Sequence, residues 1–218
     1  MNKGSICRKE LIPPKTDLKN IGIVSNFSGK KENYPNPKPH YNFKIFKGKN
    51  DHNTVEEMGR GSNGVVYLVD WKKAGQDSDE KIVLKYPLTE SDYEPNRVTK
   101  VLKGYHHHII PYKVIHDQYG NPFIVMQQAT GDLFELVRYD LSSQFRDKII
   151  RYYTKAIGQL WRKRIVFTDM KAENLLYQCH QESSRGSAGL VLYFGDIGAF
   201  ANEGDGYYDY EVEPPETK

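Results

Sequence analysis

Thr168-Asp169-Met170-Lys171-Ala172-Glu173-Asn174 places a carboxylate, a cation and an amide at fixed offsets. An aspartate followed two residues on by lysine and five on by asparagine reads as a phosphoryl-transfer loop. Asp169 would orient a substrate hydroxyl and accept its proton. Lys171 would neutralise charge on the moving phosphoryl group, and Asn174 would hold a magnesium ion. Chance produces D-x-K-x-x-N often, so the surrounding sequence has to decide.

Upstream, Gly59-Arg60-Gly61-Ser62-Asn63-Gly64-Val65-Val66 fits G-x-G-x-x-G-x-V at every fixed position. Thr54–Met58 before it and Val65–Val69 after it both read as strands. A glycine-rich turn between antiparallel strands can lie over nucleotide phosphates, because glycine lets backbone N–H groups approach closely. A dinucleotide-binding turn would instead run from a strand into a helix. The β-branched residues after Gly64 disfavour that alternative. Next comes Lys81-Ile82-Val83-Leu84-Lys85-Tyr86, an apolar run ending in a lysine. Taken alone, Lys85 reads as a solvated edge residue. Downstream, Leu190–Phe194 reads as a strand that delivers Gly195-Asp196-Ile197-Gly198. Asp196 then stands where a magnesium-binding aspartate is needed, with Gly198 permitting a sharp turn behind it.

Four motifs in this order make the chain resemble a eukaryotic-type protein kinase domain over roughly residues 53–218. The resemblance implies an α+β, two-lobed fold: an antiparallel β-sheet upper lobe with one helix, and a mainly helical lower lobe. It assigns about 51–126 to the upper lobe, 127–131 to the hinge and 132–218 to a partial lower lobe. It implies ATP and Mg2+ as cofactors, with Gly59 to Val66 over the nucleotide and Lys85 gripping its phosphates. Asn174 and Asp196 would hold the metal, and Asp169 and Lys171 would act on the hydroxyl and the phosphoryl group. Met126 would be the gatekeeper, and backbone groups of Gln127, Gln128 and Ala129 would meet the adenine. Gly131-Asp132-Leu133-Phe134 resembles the start of the lower lobe. Lysine at 171 resembles serine/threonine kinases, so protein Ser/Thr hydroxyls are the implied substrate.

The chain departs from the family in four places. The family's His-Arg before the catalytic aspartate is Phe167-Thr168, which leaves no fixed cation to receive a phosphorylated activation loop. Threonine there resembles a minority of kinases, several of them encoded by large DNA viruses. The Phe of Asp-Phe-Gly is Ile197. The glutamate that should pair with Lys85 is Glu94 or Glu90; Pro95 suits the first turn of a helix, so Glu94 also reads as an N-cap. Finally, Pro214-Pro215-Glu216 resembles the Ala-Pro-Glu that closes an activation segment, two residues before the last one. The rest of a lower lobe is then absent from the sequence. The expectation is a fragment, or a truncated kinase whose exposed helix needs a partner surface. That helix is read from Ser142, with Phe145, Ile149, Tyr153, Ile157 and Leu160 as its apolar stripe.

Composition sets outer bounds. With 218 residues, 38% of them hydrophobic, the chain has room for one two-lobed domain and a tail. Residues 1–50 carry 11 Lys/Arg against 3 Asp/Glu, a balance of +8, and the rest carries 20 against 25, a balance of −5. That basic, proline-containing segment reads as a flexible arm with Ile21–Val24 as its only candidate strand. Its scattered lysines and sparse aromatics favour a solvated tail over a nucleic-acid interface. No apolar run reaches membrane-span length and no signal-peptide core is present. Cys7 and Cys179 are too few for a disulfide framework, so a reducing, intracellular, cytoplasmic setting is expected. The likeness to virus-encoded kinases would extend that setting to an infected cell or virion. His106-His107-His108 reads as a turn, since consecutive side chains rarely share one metal ion. Gly206–Glu211 reads as an acidic exposed segment, and Gln178 to Gly189 as a polar loop.

Three functions are compatible with these residues. The first is an active serine/threonine kinase, because Lys85, Asp169, Asn174 and Asp196 are all present. The second is a truncated, non-catalytic module that binds another kinase or its substrate. The third is a scaffold that grips ATP without turning it over.

Overall fold

A computed structural model describes residues 18, 19, 21–25, 43–47, 53–60, 64–71, 80–87, 99–139, 141–181 and 188–204. Glu90, Glu94, Gly61, Ser62, Asn63 and the stretch 205–218 lie outside them, and with these the candidate lysine partners, the tip of the glycine-rich turn and the Pro-Pro-Glu segment.

The upper lobe is one antiparallel sheet in the order β3-β4-β5-β7-β6, formed by β3 (Asn53–Arg60), β4 (Gly64–Trp71), β5 (Glu80–Pro87), β6 (Tyr112–His116) and β7 (Pro122–Gln127). Strand alternation sorts its side chains onto two faces. Val65, Tyr67 and Val69 of β4 and Ile82, Leu84 and Tyr86 of β5 are buried on one face. Val66 and Lys85, paired across the two strands, line a cleft on the other. β7 lies between β5 and β6 and is buried at every position, which is why its apolar run is unbroken. Helical residues 99–102 follow β5 in the sequence, and Val101 and Leu102 join the lower core.

The candidate strand in the basic arm is present, and the flexible-arm expectation is corrected at Ser25 and at Phe43–Lys47. β1 (Ile21–Ser25) pairs antiparallel with β2 (Phe43–Lys47), and β1 lies beside β6. Ile21, Ile23 and Ile45 are buried in the same cluster as Leu84, Phe123 and Val125. The strand at 43–47 was not foreseen, because lysines at 44 and 47 masked its alternation. Lys44 is exposed while Ile45 is 1% exposed, so the charge faces water and the branched carbon faces the sheet.

The lower lobe begins with β8 (Gly131–Asp132) and the single-turn α1 (Leu133–Leu136), capped where the Asp132 carboxylate accepts the Glu135 N–H at 2.8 Å. The long α2 (Ser143–Arg162) starts with the Ser142 hydroxyl accepting the Phe145 N–H. It ends where Lys163 and Arg164 donate to Leu160 and Trp161 carbonyls, Arg164 taking a left-handed φ of 57°. Its buried stripe is Ile149, Tyr153, Ala156 and Leu160; Ile157 is 41% exposed, contrary to the expected stripe. Spacing 149/153/156/160 keeps one face of a 3.6-residue helix, whereas 157 turns outward beside Ile150 and Trp161. β9 (Ile165–Phe167) pairs with β12 (Phe200–Asn202), and β10 (Leu175–Gln181) pairs with β11 (Ala188–Phe194) and β8. The expected loop from Gln178 to Gly189 therefore shrinks. Gln178 through Gln181 continue the ladder opposite Val191 to Ala188, and Gln178 and Cys179 are buried. Cys179 is held in a disulfide, against the expectation of reduced thiols.

Candidate functional site

The cleft between the lobes has a volume of about 550 Å³. Its roof carries Val66, Val83 and Lys85 from the sheet, and Met58 precedes the glycine-rich turn at its edge. Its back wall is Met126, Gln127, Gln128 and Ala129, and Leu176 and Asn174 of the lower lobe also line it. Asp196 lines it on the lower-lobe side too, two residues beyond the end of β11.

Lys85 Nζ meets Asp196 Oδ1 at 3.0 Å, 111 residues apart in sequence. Both side chains are mostly buried, 13% and 24% exposed, so their attraction is less screened than at the surface. The same Asp196 oxygen accepts the Gly198 N–H at 3.2 Å, heading the 3-10 turn Ile197–Ala199. Gly198 makes that turn without a positive φ, so the turn does not require a glycine's conformational freedom there. Ile197 packs fully buried, as the apolar swap for phenylalanine requires.

A second cluster forms on the loop after β9. Asp169 Oδ2 accepts from Lys171 Nζ at 2.7 Å and from Asn174 Nδ2 at 2.8 Å; the same amide also donates to the Asp169 carbonyl at 2.9 Å. The i, i+2, i+5 spacing brings these groups together because Ala172–Asn174 is a 3-10 turn that folds Asn174 back over Asp169. The hydrogen bond from Lys171 to the Asp169 carboxylate holds the ammonium above its ordinary range, and the charges of Asp169, Asp196 and Glu173 add to that, outweighing burial. Asp169 and Lys171 are about half exposed and stand outside the cleft wall, which Asn174 lines. The two clusters are joined through backbone, since Gly195 N–H donates to the Asn174 carbonyl at 2.8 Å.

The donor set fits a hard cation. With its amide nitrogen on Asp169, Asn174 has its oxygen to offer, and Asp196 has a second carboxylate oxygen beyond the one bound to Lys85. Among the described residues no group of three His, Cys, Asp or Glu could hold an ion alone. An ion here would complete its shell with phosphate oxygens and water, the usual habit of magnesium. The back wall fits a planar base. β7 ends at Gln127, whose N–H is taken by Pro111, and the backbone groups of Gln128 and Ala129 make no bond among the described residues.

Of the glycine-rich turn, Gly59, Arg60, Gly64, Val65 and Val66 are described. A Cβ on Gly64 would stand 2.8 Å from the Tyr86 carbonyl oxygen, whereas one on Gly59 would meet nothing within 4 Å. Arg60 forks onto Glu57 at 2.9 and 3.1 Å, and Val65 is buried in the outer face of the sheet, away from Val66. The histidines are a turn: His108 bonds Tyr152 and Gln159, His107 packs on Tyr105 and His106 on Tyr112. Val83, Ile110, Thr130, Glu135 and Leu176 also line the cleft, and no motif points to them. One of these had a signal. Val83 is two residues before Lys85 on the same strand, and two is the period that returns a strand side chain to the same face.

A five-stranded antiparallel sheet over an interlobe cleft with a lysine–aspartate pair defines a two-lobed, kinase-like protein. The family described as "Protein kinase domain" matches residues 52–199, and the chain belongs to that family. Myosin light chain kinase A of Dictyostelium discoideum is 32% identical over 149 residues, 64% of this chain and 50% of that protein. Serine/threonine-protein kinase TIO of Arabidopsis thaliana is 30% identical over 155 residues, 69% of this chain and 11% of its own length. Calcium/calmodulin-dependent protein kinase type 1 of Caenorhabditis elegans is 27% identical over 154 residues, covering 68% and 42%. The chain thus spans half the length or less of these curated relatives. They come from cellular organisms and do not speak to the likeness with virus-encoded kinases. Among the described residues, no helix is long and apolar enough to cross a membrane.

Proposed function

We propose that the chain is a serine/threonine protein kinase that moves the γ-phosphoryl group of ATP to Ser or Thr hydroxyls of proteins. The observation that carries this reading is the convergence of Lys85, Asp196 and Asn174 on one cleft, with Asp169 bonded to Asn174 just outside its wall. Lys85 would hold nucleotide phosphates, and Asn174 and Asp196 would hold Mg2+. MgATP, when bound, supplies the phosphoryl group and a cation that spreads its charge. Asp169 would align the incoming hydroxyl and take its proton as the new O–P bond forms and the bond from Pγ to the β,γ-bridging oxygen breaks, releasing ADP. Lys171, already on Asp169, lies close enough to balance the charge that develops. Val66, Val83, Met126 and Leu176 enclose the base, with Gln128 and Ala129 offering backbone groups. Lysine at 171 and the printed names of relatives such as TIO support the serine/threonine class. The use of ATP favours an intracellular setting, and the disulfide at Cys179 weighs the other way.

Transfer of labelled phosphate from MgATP to generic protein substrates and to the chain itself, wild type beside Asp169→Asn, tests this reading. The variant should lose roughly 10²–10⁴-fold in rate and keep nucleotide affinity. Equal transfer by both proteins, or no nucleotide binding by the wild type, would overturn it. A non-catalytic binding module is the second reading, favoured by the outward stripe of Ile150, Ile157 and Trp161 on α2. Under it, Asp169→Asn changes nothing measurable.

A further inference from the structure

The loop that carries Asp169 and the turn that carries Asp196 are bonded on both sides of Asp196. On one side Gly195 N–H donates to the Asn174 carbonyl at 2.8 Å. On the other, the Ala199 carbonyl accepts twice from Thr168, from the backbone N–H at 2.8 Å and from the hydroxyl at 3.0 Å. Ala199 closes the 3-10 turn that Asp196 heads, its own N–H reaching the Asp196 carbonyl at 3.2 Å. Next to this joint, Phe167 packs on Phe194 and Phe200 with ring centroids 4.7 and 5.0 Å away. The side chain at 168 is therefore an added tie between the residue next to Asp169 and the end of the turn that aims Asp196. The hydroxyl supplies a short bond to a carbonyl, which a guanidinium on a long stem would not make from this position.

We infer that Thr168 is a positioning residue: its hydroxyl, bonded to the end of the turn that Asp196 heads, sets Asp169 against Asp196. The inference rests on the kinase reading above. Thr168→Val keeps the shape and removes the hydroxyl, while the backbone N–H still satisfies Ala199. Its kcat should fall roughly 3–10-fold, the worth of one net hydrogen bond, with KM for ATP unchanged. Thr168→Ser should restore kcat to within about twofold, and phosphatase treatment of the wild type should leave its rate unchanged. An unchanged kcat in the Val variant, a loss confined to KM, or failure of Ser to rescue would each overturn the inference. Amide hydrogen exchange over 165–169 and 195–202 reads the tie without catalysis. Faster exchange there in Thr168→Val, reversed in Thr168→Ser, is expected even if the chain transfers no phosphate, and equal exchange in all three proteins would refute the tie.

Discussion

At the scale of single residues, the two ends of the glycine-rich turn serve different purposes. Gly64 is excluded from bearing a side chain by the Tyr86 carbonyl, which is backbone and cannot swing away. Gly59 has open space around its Cα. Gly64→Ala should therefore cost about 1–3 kcal/mol, the range for overpacking, and Gly59→Ala under about 1 kcal/mol; denaturant midpoints of the two variants check this. The motif itself shows four fixed letters and hides this asymmetry, because the letter G does not say whether freedom of φ or lack of volume is wanted. That Asp169, Lys171 and Asn174 lie close together was legible, since all three sit on one short loop, but that Lys171 and Asn174 both donate to the Asp169 carboxylate was not. The Lys85–Asp196 contact was not legible: the resemblance gave Lys85 a glutamate partner at 94 or 90, and no local pattern joins residues so far apart.

Among the elements, β1–β2 and α2 carry the lessons. The hairpin precedes the matched family region, yet Ile21, Ile23 and Ile45 back the strand whose opposite face presents Val83 and Lys85. Ile45→Ala should destabilise the domain by about 2–4 kcal/mol and Lys44→Ala by under about 0.5 kcal/mol, measured by thermal unfolding. Basic, proline-rich composition argued for a free arm, and tertiary burial of three isoleucines overrode it. In α2 the periodicity was right and its phase was short by one position. Ala156, too small to weigh in a hydrophobic count, is fully buried, and Ile157 takes the outer side. Leu160→Ala should cost about 2–5 kcal/mol, whereas Ile157→Lys should stay within about 0.5 kcal/mol. Equal losses in the two would mean that the outer stripe is covered in solution.

For the molecule as a whole, the lobes share a core that is sensitive to alkali. Tyr153, buried and donating to the Leu176 or Tyr193 carbonyl, has its phenol pushed well above its ordinary value by burial. Burial pushes Tyr152 up to about 12, with Tyr193 and Tyr105 adding to it. The folded state holds these protons more tightly than the unfolded chain. Their contribution is thus complete below about pH 10 and is lost as pH climbs from there through the raised values. Melting temperature should fall steadily above pH 10, and Tyr153→Phe, less stable at neutral pH, should show a shallower fall. That sensitivity could not be read in advance, because sixteen tyrosines look alike until burial separates them. The parallel bridge of Ile109 with Phe194 has a mechanical consequence. Ile110 donates to Phe194 and Phe194 to His108, so the upper sheet is fastened to the lower lobe here as well as through the covalent link at Gln128 to Thr130. With Val101 and Leu102 rooted in the lower core as well, the two lobes are riveted along a seam, and Lys85 faces Asp196 across it.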